Sequence, residues 1–221
     1  MNNKTWTDND NFINTHLVKE PSTFSDATAA IRETNLPQME VSPAQGKFLY
    51  LLAKMAGASR ILELGTFYGY STMWLAKAVP DNGTVVSIEL TPKFVTIARQ
   101  NIDSAGLSSR VQLIQGDALL VLQNMVANRT APFDMIFFDA HKPSYPEYLQ
   151  LCRQLARPGT VLCGDNIILD GELANESNQN PKAANMREYI KALGGDVSLE
   201  STALQTVGIK GYDGFTISIM N

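Results

Sequence analysis

The 221-residue sequence predicts an α/β protein: a mostly parallel sheet of seven strands with helices on both faces. Three observations carry that reading. Short apolar runs near 60–64, 84–89, 110–115, 133–138 and 159–164 alternate with helical spacings near 70–79, 92–105, 118–128 and 144–156. The runs are apolar almost throughout, as strands are when a sheet is covered on both sides. The stretch RILELGTFYGYS, Arg60 to Ser71, ends an apolar strand abruptly at Gly65, places a second glycine at Gly69, and opens the helical run STMWLAKAV. Strand, glycine turn and helix let the backbone approach a ligand closely and offer it free N–H groups.

The elements follow in order. Residues 1–10, MNNKTWTDND, read as a frayed end. Residues 11–57 hold N-terminal helices: FINTHLV and PSTFSDATAAIRETN, with Pro21 at a helix start, then PAQGKFLYLLAKM from Pro43 to Met55 with Ser42 as its cap. The alternating α/β core begins near residue 58 and closes with a helix near 183–193 and strands near 196–202 and 214–220. Between them, IILDGELANESNQNPK at 167–182 is long, polar and without periodicity, which predicts a lid, a binding loop or disorder. Neither repeats nor a linker divide the chain, so 1–221 reads as one domain.

Composition narrows the function. A net charge of −4 argues against broad nucleic-acid binding, and no run of 18 apolar residues exists to span a membrane. The N-terminus lacks a secretory signal, and the two cysteines, Cys152 and Cys163, have neither metal-ligand nor disulfide spacing. A cytoplasmic enzyme with buried free thiols is the expectation.

In such a sheet ligands bind beyond the carboxyl ends of the strands. The acids standing there are Glu63, Glu89, Asp117, Asp139 and Asp165. Any one of them can be a helix cap; five in succession are hard to explain that way. Glu63 precedes the glycine turn in an E-x-G-x-x-x-G spacing, unlike the G-x-G-x-x-G of a dinucleotide site. A carboxylate aimed at the pocket repels phosphate and suits S-adenosylmethionine (SAM), which carries a sulfonium and an ammonium. Glu89 stands where a carboxylate takes both ribose hydroxyls, and Asp117 where one meets the adenine amino group. Asp139, Asp165 and Asn166 are hard oxygen donors from neighbouring strand ends, the set preferred by Mg²⁺, with Ca²⁺ or Mn²⁺ as alternatives. Lys142, three residues after Asp139, reaches the same place and is a candidate base.

These residues resemble those of the class I, cation-dependent O-methyltransferases, the group containing catechol and caffeoyl-coenzyme A O-methyltransferases, and most of all its small bacterial members. The matching segments are MEVSPAQG (39–46), ILELGTFYGYS, Glu89, QGDAL (115–119), FFDAHKPSY (137–145), GDN (164–166) and GYDGFTIS (211–218). The resemblance implies a Rossmann-like fold and a homodimer. It implies that Val41, Glu63, Gly65, Thr66, Ser71, Glu89, Asp117, Ala118 and Asp139 form the SAM site, and that Asp139, Asp165 and Asn166 hold the cation. Lys142 then takes the position of the general base and Asp139 stands beside it in the catalytic centre. Met39, His141 and Tyr145 fall near the acceptor. Two departures stand out: His141 occupies a position where many members carry Asp, and the segment after Asn166 lacks the family's Trp and Gly-Arg-Val stretch.

The expected reaction is methyl transfer from SAM to one hydroxyl of a catechol-type vicinal diol, a small-molecule acceptor. The alternatives are a hydroxylated tRNA uridine at the same site, a nicotinamide-dependent oxidoreductase, and a non-catalytic SAM sensor. The oxidoreductase fails on the missing third glycine and on Glu63. The sensor leaves Asp139, Lys142, Asp165 and Asn166 unexplained.

Overall fold

The computed structural model describes residues 3–221. Five parallel strands form its centre: β1 (Arg60–Leu64), β2 (Thr84–Glu89), β3 (Val111–Gln115), β4 (Met135–Phe138) and β5 (Val161–Asp165). A long antiparallel hairpin, β6 (Leu199–Gly208) and β7 (Gly211–Met220), completes a seven-stranded sheet in the order β3-β2-β1-β4-β5-β7-β6. The strand order reverses between β1 and β4, which opens a crevice at the carboxyl end of the sheet. Strands β1 and β4 are buried almost from end to end, which is why β4 reads as an unbroken apolar run and β1 as one broken only by Glu63.

One face of the sheet is covered by α4 (Tyr70–Ala78) and α5 (Pro92–Ser104), the other by α6 (Ala118–Ala127), α7 (Tyr145–Gln154) and α8 (Pro181–Gly195). Helix α3 (Pro43–Met55) lies against α4, and it begins as expected: the Ser42 side chain accepts from the Gln45 N–H at 3.2 Å, with Pro43 at its first position. Its Gly46 faces the fully buried Trp74 ring so closely that a Cβ there would lie 2.4 Å from Trp74 Cδ1. Helix α2 (Ser22–Arg32) caps this layer through Phe24, whose ring meets Trp74 edge-on at 5.2 Å.

Three elements differ from the sequence expectation. Residues 3–10 are not frayed: they belong to α1 (Asn3–Ile13), which runs into a π-helical turn at 14–18. The helix buries none of its residues, so no apolar stripe announced it. Residues 1–2 of the expected frayed end lie outside the described residues. The hairpin extends well past the expected strands, because β6 is an edge strand exposed along nearly its whole length and offers no buried face to the pattern. The stretch 167–182 is shorter and better held than a loose lid: Ile167 and Ile168 are buried, a short turn spans Glu172–Ala174, and α8 starts at Pro181. Among the described residues, no helix is long and apolar enough to cross a membrane.

Candidate active site

A cavity of about 650 Å³ opens at the carboxyl ends of the parallel strands, where the strand order reverses. The glycine turn after β1 forms its floor. Gly65 has φ +94° and its missing Cβ would stand 2.3 Å from the Asp139 carbonyl oxygen, so only glycine lets these two strand ends meet. Phe67 is also in the left-handed region, at φ 51°. Its N–H is tied to Glu89 Oε2 at 2.9 Å and its ring packs edge-on against Phe94 at 4.7 Å, which holds a conformation disfavoured for a bulky residue.

Of the residues expected at a cofactor, Val41, Gly65, Thr66, Ser71, Glu89, Asp117, Ala118 and Asp139 all line this cavity. Glu89 keeps both oxygens oriented by backbone, Oε2 on Phe67 and Oε1 on Thr91 N–H at 2.8 Å, with lone pairs left over. Asp117 does double service: its Oδ1 caps α6 by accepting from Leu120 N–H at 3.1 Å while the residue faces the cavity.

Glu63 is the exception. It is fully buried beneath the cavity rather than aimed into it. Its Oε2 accepts from the hydroxyls of Thr72 at 2.5 Å and Ser87 at 2.6 Å, while Oε1 has no partner. Burial pushes its pKa up to about 7, against the pull of the Ser71, Ser87 and Thr72 hydroxyls. The sequence does not reveal this because β1 enters the sheet's centre, where α4 closes over the Glu63 side. Glu63 therefore ties the first turn of α4, Ser71 included, to the ends of β1 and β2.

Asp139, Lys142, Asp165 and Asn166 meet at the far wall of the cavity. Lys142 Nζ donates to Asp139 Oδ1 at 2.6 Å and to the Tyr145 hydroxyl at 3.0 Å. Tyr145 is not at the cavity surface, contrary to a substrate role: it is fully buried, with its oxygen 2.6 Å from the Phe138 carbonyl and 3.0 Å from that of Asp165. It braces Lys142 between two strand ends. Asp165 is pushed up to about 7 by burial first and the Asp139 charge second, with Lys142, the Asn166 N–H and Gln45 pulling it down. Burial likewise raises Asp139, against the Lys142 charge. Asn166 takes φ 55°, a conformation Asn tolerates better than other side chains, and its N–H donates to Asp165 Oδ1 at 2.9 Å. Among the described residues no three His, Cys, Asp or Glu side chains form a metal nest. The expected set holds only two carboxylates, its third donor being an amide. Two neighbouring carboxylates, Asp165 buried and Asp139 half-buried, beside an amide oxygen suit a hard divalent cation, whose charge relieves their repulsion.

His141 and Met39 line the same cavity and are exposed, with His141 Nδ1 3.1 Å from Ser144 Oγ. Beyond Asp165 and Asn166 lies a second cavity of about 270 Å³, walled by Ala44, Phe48, Val207 and Phe215, with Asp10 and Lys210 at its edge. Sequence reasoning missed these residues. They come from α1, α3 and the hairpin, not from the parallel strand ends that were searched. Gln45, which reaches Asp165, lay in view within the MEVSPAQG segment.

Comparison with known proteins agrees with this geometry. The O-methyltransferase family model matches residues 15–218. A catechol O-methyltransferase of Niastella koreensis is 43% identical over 220 residues, covering 100% of both chains. One of Mycobacterium tuberculosis is 39% identical over 213 residues, covering 96% of this chain and 95% of that one. An O-methyltransferase from Bacillus cereus, solved in complex with S-adenosylhomocysteine (SAH), superposes with a TM-score of 0.96 at 40% identity, covering 100% of both chains. Another, from Streptomyces achromogenes and involved in tomaymycin synthesis, was solved with SAM: TM-score 0.96, 41% identity, 100% and 99% coverage. A carboxylate-lined crevice at the strand-order reversal, matched along nearly its whole chain by these relatives, leaves one conclusion: the chain belongs to the O-methyltransferase family.

Proposed function

We propose that this protein transfers the methyl group of SAM to one hydroxyl of a catechol-type vicinal diol, with a divalent cation held by Asp139, Asp165 and Asn166. The observation that carries the reading is the meeting of Asp139, Lys142, Asp165 and Asn166 on one wall of the larger cavity, with Asp165 and Asn166 also lining the smaller. The larger cavity takes the cofactor: Glu89 accepts from the ribose hydroxyls, Asp117 and Ala118 flank the adenine, and Gly65, Thr66 and Ser71 cradle the methionine end. The smaller cavity takes the acceptor ring, with the packed Phe48 and Phe215 rings as its aromatic wall.

When bound, the cation supplies a Lewis acid and a template, lowering the pKa of the diol oxygens and orienting them. Lys142, reacting as the neutral amine, takes the proton from the attacking hydroxyl on its lone pair while its two N–H groups hold Asp139 and the Tyr145 hydroxyl. The deprotonated oxygen forms its bond to the methyl carbon as the carbon–sulfur bond breaks, releasing SAH. Two walls that hold donor and acceptor in line contribute through orientation, worth up to roughly 7–11 kcal/mol in well-aligned reactions.

The deciding experiment is methyl transfer from labelled SAM to catechols, caffeoyl esters and hydroxyuridine-containing tRNA, with Mg²⁺ and with EDTA. Catechol turnover that EDTA removes is the expected result. Asp165→Ala should abolish turnover and leave SAH affinity, measured by calorimetry, nearly unchanged. Turnover indifferent to EDTA overturns the cation assignment. A tRNA acceptor calls for a basic groove around Lys142, Lys182 and Arg187: Lys142 and Lys182 line the larger cavity, while Arg187 donates to the Asn175 and Asn178 carbonyls.

A further inference from the structure

Residues 35–41 join α2 to α3 and bring Gln38, Met39, Glu40 and Val41 to the wall of the larger cavity. Irregular chain has no ladder to hold it, so a ligand wall made of it depends on other anchors. Among the described residues, no backbone–backbone hydrogen bond involves residues 35–41. The strip's local bond, Leu36 N–H to Thr34 Oγ1 at 3.1 Å, fixes only its start. Among the described residues, its polar links to another element both come from one side chain. Lys210 Nζ donates to the Gln38 carbonyl at 3.0 Å and lies 3.2 Å from Glu40 Oε1. The Glu40 side chain is only 6% exposed and its other oxygen has no partner, so without Lys210 a buried carboxylate stands uncompensated.

Lys210 sits in the two-residue turn between β6 and β7 and lines both cavities. The turn is itself fixed: Ile209 N–H donates to Asp10 Oδ2 of α1 at 2.7 Å, and Gly211 takes φ +100°. A hairpin anchored at β5 and at α1 is a firm post from which to hold a strip that has none of its own.

We infer that Lys210 is a positioning residue for the cofactor wall: it clasps Gln38 and Glu40 so that Met39 and Val41 are in place when the cofactor arrives. The inference rests on the proposed use of the larger cavity for SAM. Lys210→Met keeps the length of the side chain and removes both links. It should weaken SAH binding about tenfold by calorimetry, the effect of losing a charge-assisted hydrogen bond. The KM for SAM should rise in proportion, with a much smaller fall in kcat at saturating SAM. Hydrogen exchange at residues 38–41 should speed up in the unliganded protein. Lys210→Arg, which can donate to both oxygens, should restore all three. Glu40→Gln, which spares the Gln38 link, should give a smaller change in the same direction. Wild-type SAH affinity and wild-type exchange in Lys210→Met would overturn the clasp, as would Lys210→Arg as defective as Lys210→Met. Wild-type protein that binds no SAH would instead overturn the proposed function, and the exchange measurement then decides the clasp alone.

Discussion

At the scale of single residues, Glu63 shows how a legible motif can be misassigned in its geometry. Its place before Gly65 was readable from the sequence; its direction was not, because a strand pattern does not say which neighbour will close over a side chain. Buried with one oxygen unpartnered, it acquires a consequence for stability. Its pKa in the fold is about 7, against 4.5 for a glutamate side chain open to water. Between those values the folded state holds more protons than the unfolded one, so the free energy of unfolding falls as pH rises from 4.5 to 7. At ~1.4 kcal/mol per pH unit the fall amounts to about 3 kcal/mol. Glu63→Gln should remove this slope, leaving a variant whose stability relative to wild type improves between about pH 5 and 7.5 in urea titrations. Parallel curves for the two proteins would show that the carboxylate is not desolvated. Asp117 illustrates a milder version: the cap and the cavity-lining readings of one carboxylate are both true.

At the scale of elements, legibility followed burial. The inner parallel strands β1, β2, β4 and β5 were readable because burial on both faces writes an apolar run into the sequence, and β3, with no fully buried residue, by its Val111, Leu113 and Ile114. Helix α1 was not, and strand β6 only in its first residues, since neither has a continuous buried face. Helix α3 was readable in its cap and its apolar stripe, yet its seat depends on Gly46, whose importance is visible only against Trp74. A Cβ there meets a ring with nowhere to go, so Gly46→Ala should cost about 3 kcal/mol through overpacking, measured by chemical denaturation. Wild-type stability would mean that α3 rides further from α4. Because α3 carries Gln45 to Asp165, the same substitution should also disturb the centre.

At the scale of the whole molecule, the chain divides its work between two kinds of wall. Apart from Val41 and Ser71, the residues proposed to hold cofactor and cation come from the carboxyl ends of β1, β2, β4 and β5 and from the start of α6, close to elements that the sequence reveals plainly. The second cavity is built from α1, α3 and the hairpin, segments distant in the chain whose meeting no local pattern announces. That is why the candidate chemistry could be read from the sequence and the shape around the acceptor could not. Phe215→Ala, which removes one aromatic wall of the smaller cavity, should shift preference toward bulkier catechols in competition assays, with SAH affinity unchanged. An unaltered ranking would place the acceptor elsewhere. Phe48, Val207 and Phe215 line the smaller cavity alone, whereas Gln45, Asp165, Asn166 and Lys210 line both. A chain so built can redraw the far side of the smaller cavity one side chain at a time, but a change at Gln45 or Lys210 is felt in both chambers at once.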